Sequence, residues 1–165
     1  MIKAKKIKDE TEAVLILPDI RSAINVGSIF RTADAVGISK IFLTGYTPRP
    51  TDKFGRIQKD IAKSALGAEM WVPWSYEEDT LALIKNLKKL GYKIISVEQN
   101  GKSVDYRNVR LEGKIAIVLG SEVEGVSGEI LSLSDTIVEI PMHGKKESLN
   151  VSVACGVVLF RVMRP

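Results

Sequence analysis

Cysteine and histidine are almost missing from this sequence. Cys155 and His143 are the only ones in 165 residues. A lone thiol excludes an internal disulfide and a zinc site built on cysteines. A lone imidazole leaves a histidine-built zinc site without its usual ligand set, so no metal centre is expected. No apolar run approaches the ~20 residues of a membrane-spanning helix. The opening decapeptide, MIKAKKIKDE, lacks the apolar core of a secretory signal. A chain of a reducing, cytoplasmic compartment with no membrane partner is expected.

Several signatures of nucleotide and hydrolase chemistry are missing too. There is no GxxxxGK[ST], which argues against a P-loop NTPase, and no GxGxxG follows a strand. The glycines at 120, 125 and 128 match neither spacing. No GxSxG elbow occurs. A hydrolytic triad on His143 has no nucleophile or carboxylate singled out by spacing.

What is present is ordinary for one globular domain over residues 1–165: 45% apolar, 27% charged, net charge +4. The positive balance is a mild lean towards anionic partners. Lys3, Lys5, Lys6 and Lys8 read either as a solvated chain end or as a nucleic-acid contact.

Apolar strand-like runs alternate with helical patterns. Ala13–Leu17, Ile41–Leu43, Lys93–Val97, Ile115–Leu119 and Thr136–Ile140 read as strands, and Met70–Trp74 as a weaker one that Pro73 confines to an edge or an end. NVGSIFRTADAVG predicts a helix capped by Asn25 and stopped at Gly37. Ser75 with Glu78 predicts a capping box ahead of the stripe Leu81, Ile84, Leu87 and Leu90, with Gly91 as the stop. Ser127 caps a short helix through Leu133, and a last helix runs from about Asn150 to Val162. The alternation predicts an α/β fold: a parallel sheet with helices on both faces.

In such sheets ligands bind beyond the carboxyl ends of the strands. Three glycine-bearing loops fall there: PDIRSAINVGS, LGSEVEGVSG and PMHGKKESLN. In the first, Gly27 permits close approach of another backbone or a ligand. Arg31 and Asp34 are either an i,i+3 ion pair or, through Arg31, a phosphate clamp. The second carries Glu122 and Glu124, which make it a poor phosphate cradle. It reads as a solvated acidic turn or as a loop presenting backbone groups to a ligand.

Taken together, NVGSIFRTADAVG, IVLGSEVEGVS and IPMHGKKESLNVSVA resemble, in order, the three motifs of the TrmH (SpoU) branch of the SPOUT RNA methyltransferases. The resemblance covers nearly the whole chain. It implies S-adenosylmethionine as cofactor and a ribose 2′-hydroxyl of RNA as methyl acceptor. It also implies a C-terminal deep trefoil knot and a homodimer formed through the C-terminal helix and knot region. By the same resemblance, Gly120, Ile140, Met142 and Leu149, with Val97 and Glu98 beside them, bind the cofactor. Arg31 is the catalytic residue, and Asn25, Glu122, Ser148 and Asn150 contact substrate or brace the loops. Because a guanidinium stays protonated in proteins, Arg31 fits a phosphate- and ribose-orienting role better than that of a base. Ser148 also reads as a plain helix cap.

Some family members carry an extra RNA-binding domain, for which 165 residues leave no room, so a second subunit is expected to complete the RNA surface. Arg21, Arg49, Lys53, Arg56, Lys59, Lys63, Lys145 and Lys146 are candidate RNA contacts. The proline-bearing stretch from Tyr46 to Lys63 is a substrate-facing loop or a short helical excursion. Transfer RNA is the favoured substrate and ribosomal RNA the alternative; a non-catalytic RNA-binding relative is the rival reading. One observation motivates the dimer independently. The last helix, with Val151, Val153, Val157, Val158, Leu159, Phe160 and Val162, is apolar nearly all round and calls for cover on two sides.

Overall fold

A computed structural model describes residues 11–163. The basic start and Arg164 lie outside them. Seven strands form one parallel sheet. They are β1 (Glu12–Pro18), β2 (Lys40–Thr44), β3 (Trp74–Glu77), β4 (Lys93–Val97), β5 (Val104–Asp105), β6 (Lys114–Leu119) and β7 (Thr136–Glu139). Their spatial order is β3-β2-β1-β6-β4-β7-β5. The helices are α1 (Ala23–Val36), α2 (Lys59–Ala65), α3 (Ala68–Trp71), α4 (Thr80–Lys89), α5 (Gly128–Leu133) and α6 (Val151–Met163).

The unbroken apolar runs of β1 and β6 are explained by the two faces they feed. Side chains alternate across a strand. Leu15, Leu17, Ile41, Leu43 and Ile117 therefore join the core under α1, α2, α3 and α6. Val14, Ile16, Ile94, Ala116 and Val118 join a second core under α4 and α5. Each such fully buried Val, Leu or Ile side chain contributes about 1.5–3 kcal/mol of hydrophobic stabilisation. The expectation of helices on both faces of a parallel sheet is met.

Several local expectations need correction. Met70 and Trp71 are helical, in α3, and the weak third strand begins only at Trp74. Pro73 sits just before that edge strand, where its missing N–H matters least, and its carbonyl accepts from the Ile41 amide at 2.9 Å. Ser75 does not cap a helix, because it lies in β3 opposite Phe42. The cap of α4 is Asp79, which accepts from the Ala82 amide at 2.9 Å. Of the expected stripe, Ile84 and Leu87 are buried, Leu81 is half-buried and Leu90 is exposed, while Leu83, outside that stripe, is buried. Asn25 does not cap α1 either. Ser22 does, accepting from the Asn25 amide at 3.2 Å, and Asn25 stands one turn inside. The helix ends as expected at Gly37, whose φ is +80°. The last strand stops at Glu139, so Ile140 belongs to the loop.

The long Tyr46–Lys63 connection is neither bare loop nor simple helix. Residues 51–57 form a small hairpin closed by a Thr51–Ile57 bridge, and α2 follows. Gly27 packs where α1 crosses α2. A Cβ there would stand 2.0 Å from Ser64 Oγ and 2.5 Å from the Ile61 carbonyl. The close approach it permits is to another backbone, not to a ligand.

Candidate functional site

The loops after β1, β6 and β7 converge at the carboxyl edge of the sheet, and one buried amide joins them. Asn25 is 9% exposed. Its Nδ2 donates to Glu122 Oε1 at 2.9 Å. Its Oδ1 accepts from Asn150 Nδ2 at 3.2 Å. Glu122 also takes the Arg21 and Ser22 amides at 2.8 and 3.1 Å. Asn150 Oδ1 in turn accepts from the Ser152 and Val153 amides, which makes Asn150 the cap of α6. The bland reading of Ser148 as that cap fails: Ser148 is exposed, two residues too early. Glu122, Asn25 and Asn150 thus form one polar chain across partners 97 and 125 residues apart in sequence.

The Glu122 carboxyl is held below the ordinary carboxylate range. Burial alone would raise it, but the Arg21 amide, the Asn25 side chain and the Ser22 amide outweigh that by binding the charged form. A carboxylate so stabilised is a weak base. Its chemistry is that of a brace.

Beside this chain lies a cleft of about 720 Å³. Val97, Glu98, Gly120, Glu122, Ile140, Met142, Ser148, Leu149 and Asn150 all line it. The structure therefore gathers nine of the eleven sequence-predicted residues. Asn25 supports the wall from behind. Arg31 is absent from the lining and exposed on α1. Among the described residues Arg31 makes no ion pair with Asp34, whose Oδ1 accepts from the Trp71 indole at 2.8 Å instead.

Two glycines shape the cleft. A Cβ at Gly120 would stand 2.3 Å from the Gly125 carbonyl carbon, so the 121–125 turn folds directly onto it. Gly125 has φ +67°, and a Cβ there would strike Glu98 Oε2 at 2.1 Å. The Glu98 carboxylate accepts from the Gln99 and Val126 amides, both at 2.8 Å. Its side chain is thus committed to holding the turn.

From Met142 to Leu149 the main chain makes no backbone–backbone hydrogen bond among the described residues. Backbone groups seldom stay unpaired away from water, so this stretch offers donors and acceptors to solvent or to a ligand. It is tethered at Glu147, whose carbonyl accepts from Gln99 Nε2 at 2.8 Å. Sequence reasoning missed Gln99. Its place just past β4 was a signal, but nothing local links it to a residue 48 positions away.

Comparison with known proteins gives a consistent picture. Residues 12–160 match the family model described as the SpoU rRNA Methylase family. A Staphylococcus aureus protein assigned to the TrmH family of tRNA/rRNA methyltransferases is 34% identical over 163 residues, which are 99% of this chain and 63% of that protein. This chain therefore spans somewhat less than two thirds of the curated relatives it matches. The AdoMet-bound rRNA methyltransferase of Sinorhizobium meliloti superposes with a TM-score of 0.84 at 28% identity, over 93% of this chain and 56% of that one. The TrmH/SpoU tRNA modifying enzyme of A. aeolicus gives 0.82 at 28% identity, over 95% and 76%.

Proposed function

The chain belongs to the SpoU rRNA Methylase family, and from that premise we propose that it is an S-adenosylmethionine-dependent RNA methyltransferase acting on a ribose 2′-hydroxyl. The observation that carries the reading is the Glu122–Asn25–Asn150 chain, which draws the three motif loops around one cleft.

The cleft's chemistry suits the cofactor. Its volume lies within the usual range for small-molecule sites. Ile140, Met142 and Leu149 offer apolar surface to an adenine ring, and the main chain of 142–149, which makes no backbone–backbone hydrogen bond among the described residues, offers groups to its polar edge. At Gly120 no side chain intrudes. Val97 and Glu98 serve through their backbone, since the Glu98 carboxylate is engaged. When bound, the cofactor supplies an electrophilic methyl group. The protein's part is to hold the acceptor in line with it, and positioning of this kind supplies several kcal/mol. Glu122 and Asn25 keep the walls in register, and Ser148, exposed at the rim, is free to hydrogen-bond substrate. The threading of the 140–150 segment as a knot belongs to the same reading. It rests on the family; the segment itself is tied to the loop after β4 through Gln99 and to α1 through Asn25.

Arg31 is placed by this reading in a partner's cleft, where its guanidinium orients the acceptor phosphate and ribose. Its exposure outside its own cleft supports this. So does the apolar stripe of α6: Val153 and Phe160 are 50% and 53% exposed, with Val157 between them. Such a face calls for a second copy. Transfer RNA is the favoured substrate and ribosomal RNA the second, and the relatives are named for both.

Calorimetry with S-adenosylmethionine, followed by a labelled-methyl assay on total tRNA and on rRNA, tests the proposal. The expected result is binding with methyl transfer to one pool, located by nucleoside mass spectrometry as a 2′-O-methyl ribose. No heat and no thermal shift at saturating cofactor would refute the enzyme reading. Binding to RNA without transfer would leave the non-catalytic relative. Mixing Arg31→Ala chains with cofactor-blind Leu149→Asp chains should restore some activity in the heterodimer if the site is shared.

A further inference from the structure

We propose that the connection between β2 and α2 forms a second nucleic-acid subsite, which grips a single-stranded stretch of the RNA substrate beside the catalytic cleft; it rests on the RNA reading above. A cavity of about 750 Å³ opens there, lined by Arg49, Lys53, Arg56 and Lys59 against a single carboxylate, Asp52. That carboxylate is internally employed. Asp52 accepts from the Phe54 and Arg56 amides at 2.8 and 2.9 Å and from Arg56 Nε at 2.6 Å. Its effect is to staple the 51–57 hairpin, so the cations are presented by an ordered element.

Arg49 is the centre of the site. Its guanidinium lies 3.5 Å from the centroid of the Tyr76 ring, and the Tyr76 hydroxyl donates to the Gly45 carbonyl at 2.8 Å. Stacking fixes the guanidinium plane. Among the described residues no carboxylate pairs with it. Its N–H edges are thus pre-oriented and available to phosphate oxygens. The same connection carries two exposed aromatic rings: Tyr46, at 60%, lines the cavity, and Phe54, at 71%, stands on the hairpin with Lys53 Nζ 5.1 Å and the Arg56 guanidinium 5.3 Å from its centroid. Cations that track a backbone, interleaved with rings on which bases stack, make a platform for single strands. An acidic protein surface would use the cations but not the two exposed rings.

The platform is joined to the cleft. Thr47 Oγ1 donates to the Leu17 carbonyl at 2.6 Å and accepts from the Ile20 amide at 3.0 Å. Ile20 directly precedes the Arg21 and Ser22 amides that Glu122 binds. β2 and β4 are three places apart in the sheet, or about 14 Å at the usual strand spacing. One strand of RNA can occupy both places.

The test is fluorescence anisotropy of the full chain with labelled unfractionated tRNA across a salt series, with S-adenosylmethionine calorimetry on every variant. Arg49→Ala should weaken tRNA binding about tenfold and flatten the log–log salt slope by roughly 0.7–0.9. Arg49→Lys should keep the slope but not the full affinity. Phe54→Ala should cost roughly five- to a hundredfold with the slope unchanged, because stacking releases no counterions. Lys85→Ala, on the far side of α4, should change nothing, and cofactor affinity should hold throughout. Wild-type tRNA affinity in Arg49→Ala and Phe54→Ala overturns the subsite while leaving the enzyme reading intact. An equal loss in Lys85→Ala, or displacement of tRNA by AMP at matched nucleotide concentration, also overturns it. Loss of polyglutamate binding with tRNA binding kept reassigns the pocket to an acidic protein. If the wild type binds no RNA, both readings fall together.

Discussion

Replacing Asn25 by alanine tests the polar chain that holds the site together. The side chain makes one hydrogen bond to an ionised acceptor, Glu122, and one to a neutral donor, Asn150. Such bonds contribute about 1.5–3 and 0.5–1.5 kcal/mol respectively. Glu122 keeps the Arg21 and Ser22 amides and reaches solvent, so the lower part of each range applies. The expected loss is about 2 kcal/mol, or roughly 4–8 °C in Tm for a domain of this size. Urea unfolding monitored by tryptophan fluorescence measures it. A double-mutant cycle with Glu122→Ala should show coupling of about 1 kcal/mol, because the two side chains touch. Cofactor affinity should fall as well, since Asn25 tethers the segment carrying Leu149. A loss below about 0.5 kcal/mol with no coupling would refute the view that this chain organises the three loops.

Gly27→Ala should cost about 1–3 kcal/mol by overpacking, and Ser64→Ala should rescue only part of it, because the Ile61 carbonyl blocks the new methyl too. Gly120→Ala should displace the 121–125 turn and weaken cofactor binding about tenfold or more while the Tm falls modestly, as paired calorimetry and melting will show. The folded-state pKa of Glu122 is depressed. Its stabilisation is therefore complete above the unfolded carboxylate value of about 4.3 and is lost as pH falls through the lower folded value. Glu122→Gln should accordingly be less stable than wild type at pH 7, with the gap closing in acid. Burial pushes the Cys155 thiol up to about 12, so a thiol reagent should label it only on unfolding.

The fold class was legible because its signals are local. Unbroken aliphatic runs such as Ile115–Leu119 announce strands buried on both faces, and 3.6-residue stripes announce the helices between them. Boundaries were less legible where two polar residues competed for one role. Ser75 reads as a cap, but pairing with β2 places it in a strand, and Asp79 caps α4 instead. Likewise Ser22 takes the cap of α1 and leaves Asn25 free for Glu122 and Asn150. Such outcomes depend on neighbours that the local pattern does not name.

The sequence by itself determined the alternation of strand and helix, the three loops at strand ends, and nine of the residues lining the cleft. Only the tertiary structure decided what those residues do for one another. Glu122 and Glu98 proved to be braces, committed to backbone amides and, for Glu122, to Asn25. Gln99 joined the site unannounced, and Arg31 stood outside it. The physical reason is range. A helix or strand preference is set by residues a few positions apart. A hydrogen bond between Asn25 and Asn150 exists only once the sheet has brought its distant loops to one edge.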